Sequence, residues 1–362
     1  MSSATHYDYL IIGQGLAGSL LAWRLAQKGR RVLVLDDGHA TASSMVAAGL
    51  INPLAGMRFN HSPFIHHWLG DVAQTYHELA GLAGEEFLQW LDMLRLFRSP
   101  EQQRFFERQK GKKEIEDLLG ARLEAENITQ PVQAPWGGFE QHHTGWVRLP
   151  RLLEFLSRWL RTRGMLRNAT VSWKELEMRQ SGLCWKDIHA SHVVFCDGYR
   201  SMHNPWFSWL PFAPDQGEIL TLKPVSSAPL PDRIINGANW LLPVDDHHFR
   251  LGATHYHDRQ DNLATQTGQQ RLLQGMNKLL LYPEALEVIR ADAGVRPATS
   301  DRQPFLGTHP QHRRLHLFNG FGAHGSLSIP WYARRMTDWL IEQRPLPDNA
   351  DLLRHRNLLL KS

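Results

Sequence analysis

Cysteine is nearly absent: Cys184 and Cys196 are the only two in 362 residues, and their spacing suits no metal site. A disulfide framework is therefore not expected, and a reducing compartment fits. Long apolar runs are missing too. No stretch approaches the length of a membrane span, and the first strand-like segment follows six mostly polar or small residues with no basic, then apolar, leader ahead of it, so the chain reads as soluble and cytoplasmic, with no membrane partner. Charge of one sign is scarce, since 40 Lys and Arg stand against 36 Asp and Glu for a net +4, which by itself identifies no polyanionic partner. The 20 histidines are scattered, and the pairs His66-His67, His142-His143 and His247-His248 lack a partnered Asp, Glu or Cys pattern, so no metal is expected. Internal repeats, low-complexity tracts and long linkers are also lacking. A hydrophobic fraction of 42% with 21% charged residues excludes a disordered chain, and the length suits two or three domain-sized units.

The informative block spans residues 7–36. An apolar strand, Tyr7 to Ile12, runs into Gly13-Gln14-Gly15-Leu16-Ala17-Gly18, then a helical stretch, then the strand Val32 to Leu35 closing on Asp36. Gly13 permits a tight strand-to-helix turn, Gly15 lets backbone approach a pyrophosphate, and Gly18 lets the helix pack on the strand. The helix from Leu16 aims its N-terminal N–H groups and positive dipole end at phosphates, and Asp36 stands where a ribose diol is held. Strand, glycines, helix, strand and acid in this order form a dinucleotide-binding unit.

Further along, Asp37 to Ser44 is loop-like, and residues 62–108 show helical periodicity through Trp68, Val72, Tyr76 and Leu79, then Phe87, Trp90, Leu91 and Leu94. A second helix follows Pro150. Val193 to Cys196 reads as a buried strand ending at Asp197-Gly198, and residues 216–254 as short antiparallel strands. Residues 269–289 read as helix. Near the C-terminus the strand Leu315 to Phe318 meets Gly320-Phe321-Gly322-Ala323-His324-Gly325, and a helix from about Pro330 to Ile341 ends the fold. This repeats the strand-glycines-helix logic of the N-terminus. Two ends of one chain would then clasp one cofactor.

Together these residues resemble the FAD-dependent D-amino-acid oxidase superfamily, in the branch of glycine oxidase and sarcosine oxidase. The resemblance rests on the N-terminal fingerprint, Ser43-Ser44 with Ala47-Ala48-Gly49, Gly145-Trp146, Val193 to Gly198, and Arg296-Pro297 to Pro330. Gly252 to His257, Gly294-Val295-Arg296 with Asp301, Gly322 to Gly325 and the tail from Pro345 make it most similar to the oxidase half of the bifunctional enzymes of 5-methylaminomethyl-2-thiouridine synthesis in tRNA. Asn52 to Arg58 is not a signature of those enzymes, and with the fingerprint opening at Gly13 no methyltransferase domain is expected ahead of it.

The resemblance implies an α/β fold: a Rossmann-like FAD-binding domain from residues 1–60, 146–205 and 291–345, an α+β substrate domain with an antiparallel sheet from 61–145 and 206–290, and a tail at 346–362. It implies oxidation of a C–N bond, with hydride passing to flavin N5, imine hydrolysis, and reoxidation by molecular oxygen to peroxide. FAD would contact Gly13, Gly15, Leu16, Ala17, Gly18, Asp36, Asp37, Ser43, Ser44, Gly49, Gly198, Gly320, Gly322, Ala323, His324, Gly325 and Leu327, noncovalently because neither cysteine falls near the C-terminal glycines. Arg296 aligns with an arginine that grips the substrate carboxylate; the structural alternative is pairing with an acid such as Asp301. Trp240 stands where glycine oxidase has a tyrosine, Tyr256 with His255 and His257 borders the pocket, and His324 lies beside the flavin.

The leading expectation is oxidation of a carboxymethylaminomethyl-uridine on tRNA. A free amino acid oxidase acting on glycine, sarcosine or a D-amino acid, and a flavin-binding protein without turnover, are the alternatives. Basic clusters at Arg108 to Lys113, Arg158 to Arg167 and Arg313-Arg314 read as solvated faces, because no aromatic residues interleave with them.

Overall fold

The computed structural model describes residues 6–38, 42–179 and 182–359. His39, Ala40 and Thr41 of the expected loop, and the last three residues of the expected tail, lie outside them. The chain divides into two compact units, the first formed by Met1–Met45, Leu149–Asp215 and Val295–Ser362, the second by Val46–Arg148 and Gln216–Gly294.

In the first unit, strand β1 (His6–Ile12) leads to helix α1 (Leu16–Gln27) and strand β2 (Val32–Asp36). β2 is buried at all five positions, the apolar run of a strand covered on both faces. β1 lies between β2 and the strand Ile188–Phe195, parallel to both, and the layer extends in parallel to Leu166–Asn168 on one side and Leu315–Asn319 on the other. Antiparallel strands Gly182–Trp185, Glu177–Arg179 and Phe305–Thr308 complete it. Leu10, Leu33, Val193, Phe195, Phe207 and Leu317 form the centre of the buried cluster. Helix Leu149–Thr162 buries Leu152, Leu153, Leu156 and Leu160, spacing that matches one helical face.

In the second unit, eight strands form a mostly antiparallel sheet, in which Ile234–Asn236 runs parallel to Met93–Leu96. A separate three-stranded sheet joins Leu50–Ile51, Gly145–Val147 and Leu88–Trp90.

Several expectations are corrected. The helical stretch over 62–108 is two helices, Ile65–Ala83 and Pro100–Lys110, with strands Leu88–Trp90 and Met93–Leu96 between them. Gly84, at φ +69°, stops the first helix, and the apolar residues after it pair across sheets. The helix expected over 269–289 spans Gln266–Asn277, and Leu286–Arg296 is a strand. The last long helix starts at Gly325, carrying Pro330 within it. Residues 46–60 fall in the second unit because Leu50–Ile51 pairs with Gly145–Val147. Residues 346–359 form no separate tail: Leu346 and Leu352 are buried and Arg354 is ion-paired to Asp301 at 2.9 Å. Among the described residues no helix is long and apolar enough to cross a membrane.

Candidate active site

β1 ends in a turn where Gly13 has φ +102°, and a Cβ there would lie 2.5 Å from the Cys196 carbonyl oxygen. A Cβ on Gly18 would lie 1.9 Å from the Gly13 carbonyl oxygen. Both positions therefore demand glycine on contact grounds, and Gly13 on dihedral grounds as well. Gly15 is the N-cap of α1 and brings no capping side chain. One first-turn amide is already taken, since Leu16 N–H donates to Ser44 Oγ at 3.2 Å. Ser43 shares the short helix Ser43–Val46 with Ser44, Ala17 is half-buried, and Gly18 is buried.

Asp36, 7% exposed, accepts backbone N–H groups from Gln14 at 2.7 Å and Gly38 at 2.8 Å. The carboxylate that ends β2 thus also fixes the glycine turn, and each of its oxygens has lone-pair capacity for a ribose hydroxyl. Asp37 is held by Arg200 at 2.9 Å. A cavity of about 210 Å³ opens beside these groups, lined by Gly13, Asp36, Asp37, Trp173, Asp197 and Arg200 among others. The cradle that Cβ atoms would fill, the helix N-terminus and this cavity fit an adenine dinucleotide.

At the other end of the same unit, Gly320 has φ +86° and Gly322 φ +53°, and Gly322 to His324 make a tight helical turn leading into Gly325–Glu342. Ala323 and His324 are exposed, whereas Leu327 is 1% exposed and packs into the core. Surrounding protein, and then Arg302, lower the His324 pKa. Gly322 N–H donates to Pro297 O at 3.1 Å, so this turn is tied to the segment after Arg296.

Arg296 ends the strand Leu286–Arg296, and its Nη1 donates to Asp215 at 2.8 Å. Burial lowers its pKa against the pull of Asp215. The acid is not Asp301, which is engaged by Arg354 and His355 and pushed down to about 2; burial opposes that fall, and the Arg354 hydrogen bond leads it.

In the second unit, Trp240 pairs with Gly252 across neighbouring strands, and a Cβ on Gly252 would come within 2.5 Å of the Trp240 indole. Trp240 packs with Ala48, Met93, Trp146 and Leu242. Tyr256 exchanges backbone hydrogen bonds with Gln216, beyond the end of strand His248–Gly252, while His255 and His257 are exposed. Gly49, with φ +75°, sits where a Cβ would lie 2.0 Å from Val147 O, which accounts for glycine there through strand pairing alone.

The sequence reading missed Asp197, Ser201 and Asn319. Asn319 Nδ2 donates to Ser201 Oγ at 2.7 Å and to Gly198 O at 2.8 Å, and Ser201 Oγ in turn hydrogen-bonds Asp197. This polar chain links the C-terminal glycine turn to the dinucleotide cavity. Burial raises the Asp197 pKa to about 6, opposed by Ser201, Arg200 and Trp173, and Asp197 Oδ2 is buried with no hydrogen-bond partner. Ala169, Val171 and Trp173 were missed as well; the strand Leu166–Asn168 that delivers them beside β2 is only three residues long, too short for a periodicity signal.

Residues 8–339 match the family described as FAD dependent oxidoreductase. The chain belongs to that family. This oxidoreductase is 25% identical over 363 residues to a glycine oxidase of Pseudomonas putida, covering 94% of this chain and 96% of that one. It is 26% identical over 359 residues to a bifunctional protein of tRNA 5-methylaminomethyl-2-thiouridine biosynthesis from Marinobacter nauticus, covering 92% of this chain but 55% of the longer protein. Its fold matches the glycine oxidase of Geobacillus kaustophilus with a TM-score of 0.83 at 21% identity (94% and 96% coverage), and the iminodiacetate oxidase of Chelativorans sp. BNC1 at 0.80 and 23% (95% and 98%). The oxidoreductase is an FAD enzyme of the amine and amino acid oxidase class.

Asp197 supplies a prediction for this enzyme. Its backbone adjoins the Gly13 turn, where the cofactor pyrophosphate is expected, so an ionised carboxylate opposes a neighbouring dianion and a protonated one donates to it. Fluorescence titration of apoprotein with FAD should show wild-type affinity falling as pH rises through about 6, and Asp197→Asn affinity staying flat. Parallel profiles for the two proteins would remove Asp197 from cofactor binding.

Proposed function

We propose that this enzyme oxidises the C–N bond of an amine bearing a carboxymethyl group, and that the amine is carried on tRNA as a carboxymethylaminomethyl-uridine. FAD, when bound, would supply the two-electron acceptor that C–N oxidation needs. The balanced reaction is R–NH–CH2–COO⁻ + O2 + H2O → R–NH2 + OHC–COO⁻ + H2O2, with molecular oxygen as the acceptor and FAD held noncovalently. Both thiols are buried, and Cys196 packs against Gly18 in the N-terminal turn, which favours noncovalent attachment.

The observation that carries this reading is the junction of Arg296 with the C-terminal glycine turn through the Gly322–Pro297 hydrogen bond. A guanidinium suits a carboxylate through two parallel hydrogen bonds, and the Asp215 pair orients it along the strand end. Glycine and iminodiacetate, named for two of the similar proteins, share the N–CH2–COO⁻ unit. His324, whose pKa the surrounding protein lowers, stands in the C-terminal glycine turn beside this junction.

A free amino acid is the second reading, favoured by coverage of the glycine oxidase at nearly full length on both sides. Anaerobic flavin bleaching by glycine, sarcosine, iminodiacetate and undermodified tRNA separates the two. Arg296→Ala should slow bleaching by carboxymethyl amines about a hundredfold, roughly 3 kcal/mol, with Arg296→Lys in between. Equal bleaching by matched amines without a carboxylate would defeat the assignment.

A further inference from the structure

Helix Pro100–Lys110 is capped by Ser99, which accepts from Gln102 N–H, and opens with Pro100, so its start is locally specified. The helix and the following turn present Arg104, Arg108, Lys110, Lys112 and Lys113, all exposed. Arg58 joins them from a remote loop, also exposed. Among the described residues none of these six cations forms an ion pair, and the nearby Glu107 is occupied by Arg122 at 3.0 Å. Such a face of unpaired like charges costs stability through self-repulsion, and a polyanion relieves it.

The loop is built into place. Arg95, buried at 5% exposure, donates to Leu54 O at 2.6 Å and Gly56 O at 2.8 Å, and Gln109 Nε2 donates to Arg58 O at 2.8 Å. The result is an aromatic ring beside two guanidiniums: the Phe105 centroid lies 4.8 Å from the Arg108 guanidinium carbon and 5.5 Å from that of Arg58. This overturns the expectation that no aromatic interleaves with the basic run, because Arg58 comes from a loop far from that helix in sequence. Asn52 to Arg58, not a signature of the resembled enzymes, thereby acquires a structural role.

We propose that Arg58, Phe105, Arg108 and the Lys110 to Lys113 turn form the surface on which this enzyme docks the backbone of its tRNA substrate, the cations meeting phosphates and Phe105 offering a face to an unpaired base. This rests on the tRNA reading of the reaction. Charge chooses nucleic acid over an apolar partner, and the ring beside these cations chooses it over a simple anionic surface, since base stacking rewards an aromatic platform beside cations.

The test uses FAD-loaded full-length protein and an unmodified tRNA transcript, with binding followed by fluorescence anisotropy over a salt series. The variant K110E/K112E/K113E should bind at least about tenfold more weakly, and its plot of log affinity against log salt should be shallower by about 2 to 3. R58E/R108E should behave alike, and Phe105→Ala should weaken binding while leaving the salt slope unchanged. Each variant should keep the wild-type rate of anaerobic bleaching by iminodiacetate or glycine, whichever the wild type accepts, which shows an intact fold. Unchanged affinity and slope in both charge variants would overturn the proposal, as would wild-type preference for phosphatidylglycerol vesicles over tRNA. If undermodified tRNA fails to bleach the wild-type flavin, the substrate reading falls. If it bleaches and its KM is the same in the charge variants, the substrate reading stands and the docking surface falls.

Discussion

Gly18→Ala should yield protein that purifies without bound flavin. The added methyl would sit 1.9 Å from the Gly13 carbonyl oxygen and 3.2 Å from Cys196 Cβ, so α1 must lift from β1, carrying the helix N-terminus away from the phosphate position. A loss of at least about a hundredfold in FAD affinity, some 3 kcal/mol, is expected, because dipole and amide contacts fall off within the first helical turn. Gly15→Ala is the control: its Cβ would meet only Ser44 Oγ at 3.4 Å, an ordinary contact, so the folded apoprotein should survive well. Visible absorbance per chain, with circular dichroism to exclude unfolding, decides the matter. Full flavin occupancy in the Gly18→Ala variant would contradict the close helix-to-strand contact as the basis of cofactor retention.

Below pH 6.5 the first unit should lose stability steeply. His192 Nδ1 and His316 Nε2 are 2.9 Å apart, His316 Nδ1 lies 2.9 Å from Thr308 Oγ1, and Trp339 Nε1 donates to the same hydroxyl at 3.1 Å. Neutral rings satisfy this buried chain when Thr308 donates to His316 and His316 donates to His192. Burial, then His192, brings the His316 pKa down to about 3; burial, then His312, brings His309 to about 4; and burial lowers His192. Each folded pKa lies below the unfolded value, so the unfolded chain binds more protons as pH falls. Stability is complete above about 6.5 and declines toward the folded values, by up to roughly 1.4 kcal/mol per pH unit for each group. The raised carboxyls of Asp197 and Asp351 oppose this, Asp197 between its unfolded value near 3.8 and about 6, against four lowered histidines, His324 being the fourth. Urea midpoints from pH 7 to 4.5 should fall, and less steeply in His316→Gln. A pH-independent wild-type midpoint would show that the three rings are solvated.

The glycine turn was legible because its requirements are local. Gly13, Gly18 and Asp36 are separated by one short βαβ span, and the φ and contact demands at each act on neighbours within that span. The buried strand expected over Val193 to Cys196 and found as Ile188–Phe195 was legible for a similar reason, since an uninterrupted apolar run reads as a strand covered on both faces. The helix expected through Phe87 to Leu94 failed because three- and four-residue spacing in a short apolar run also satisfies strands, and pairing with Gly145–Val147 and Gly138–Gln141 decided between them. The acid named for Arg296 was Asp301, whereas its partner is Asp215: the two are equally plausible in one dimension, and Asp301 is withdrawn by Arg354 from the far C-terminus.

The sequence by itself determined the fold class, the FAD fingerprint and the two-glycine-block design, since strand pattern, glycine geometry and terminal acid are short-range properties written into adjacent residues. Only the tertiary structure decided the Asn319–Ser201–Asp197 chain, the neutral histidine relay, and the approach of both Arg58 and Arg108 to the Phe105 ring. Those depend on burial and on partners brought together from distant parts of the chain, and both desolvation and charge pairing act through distance in space.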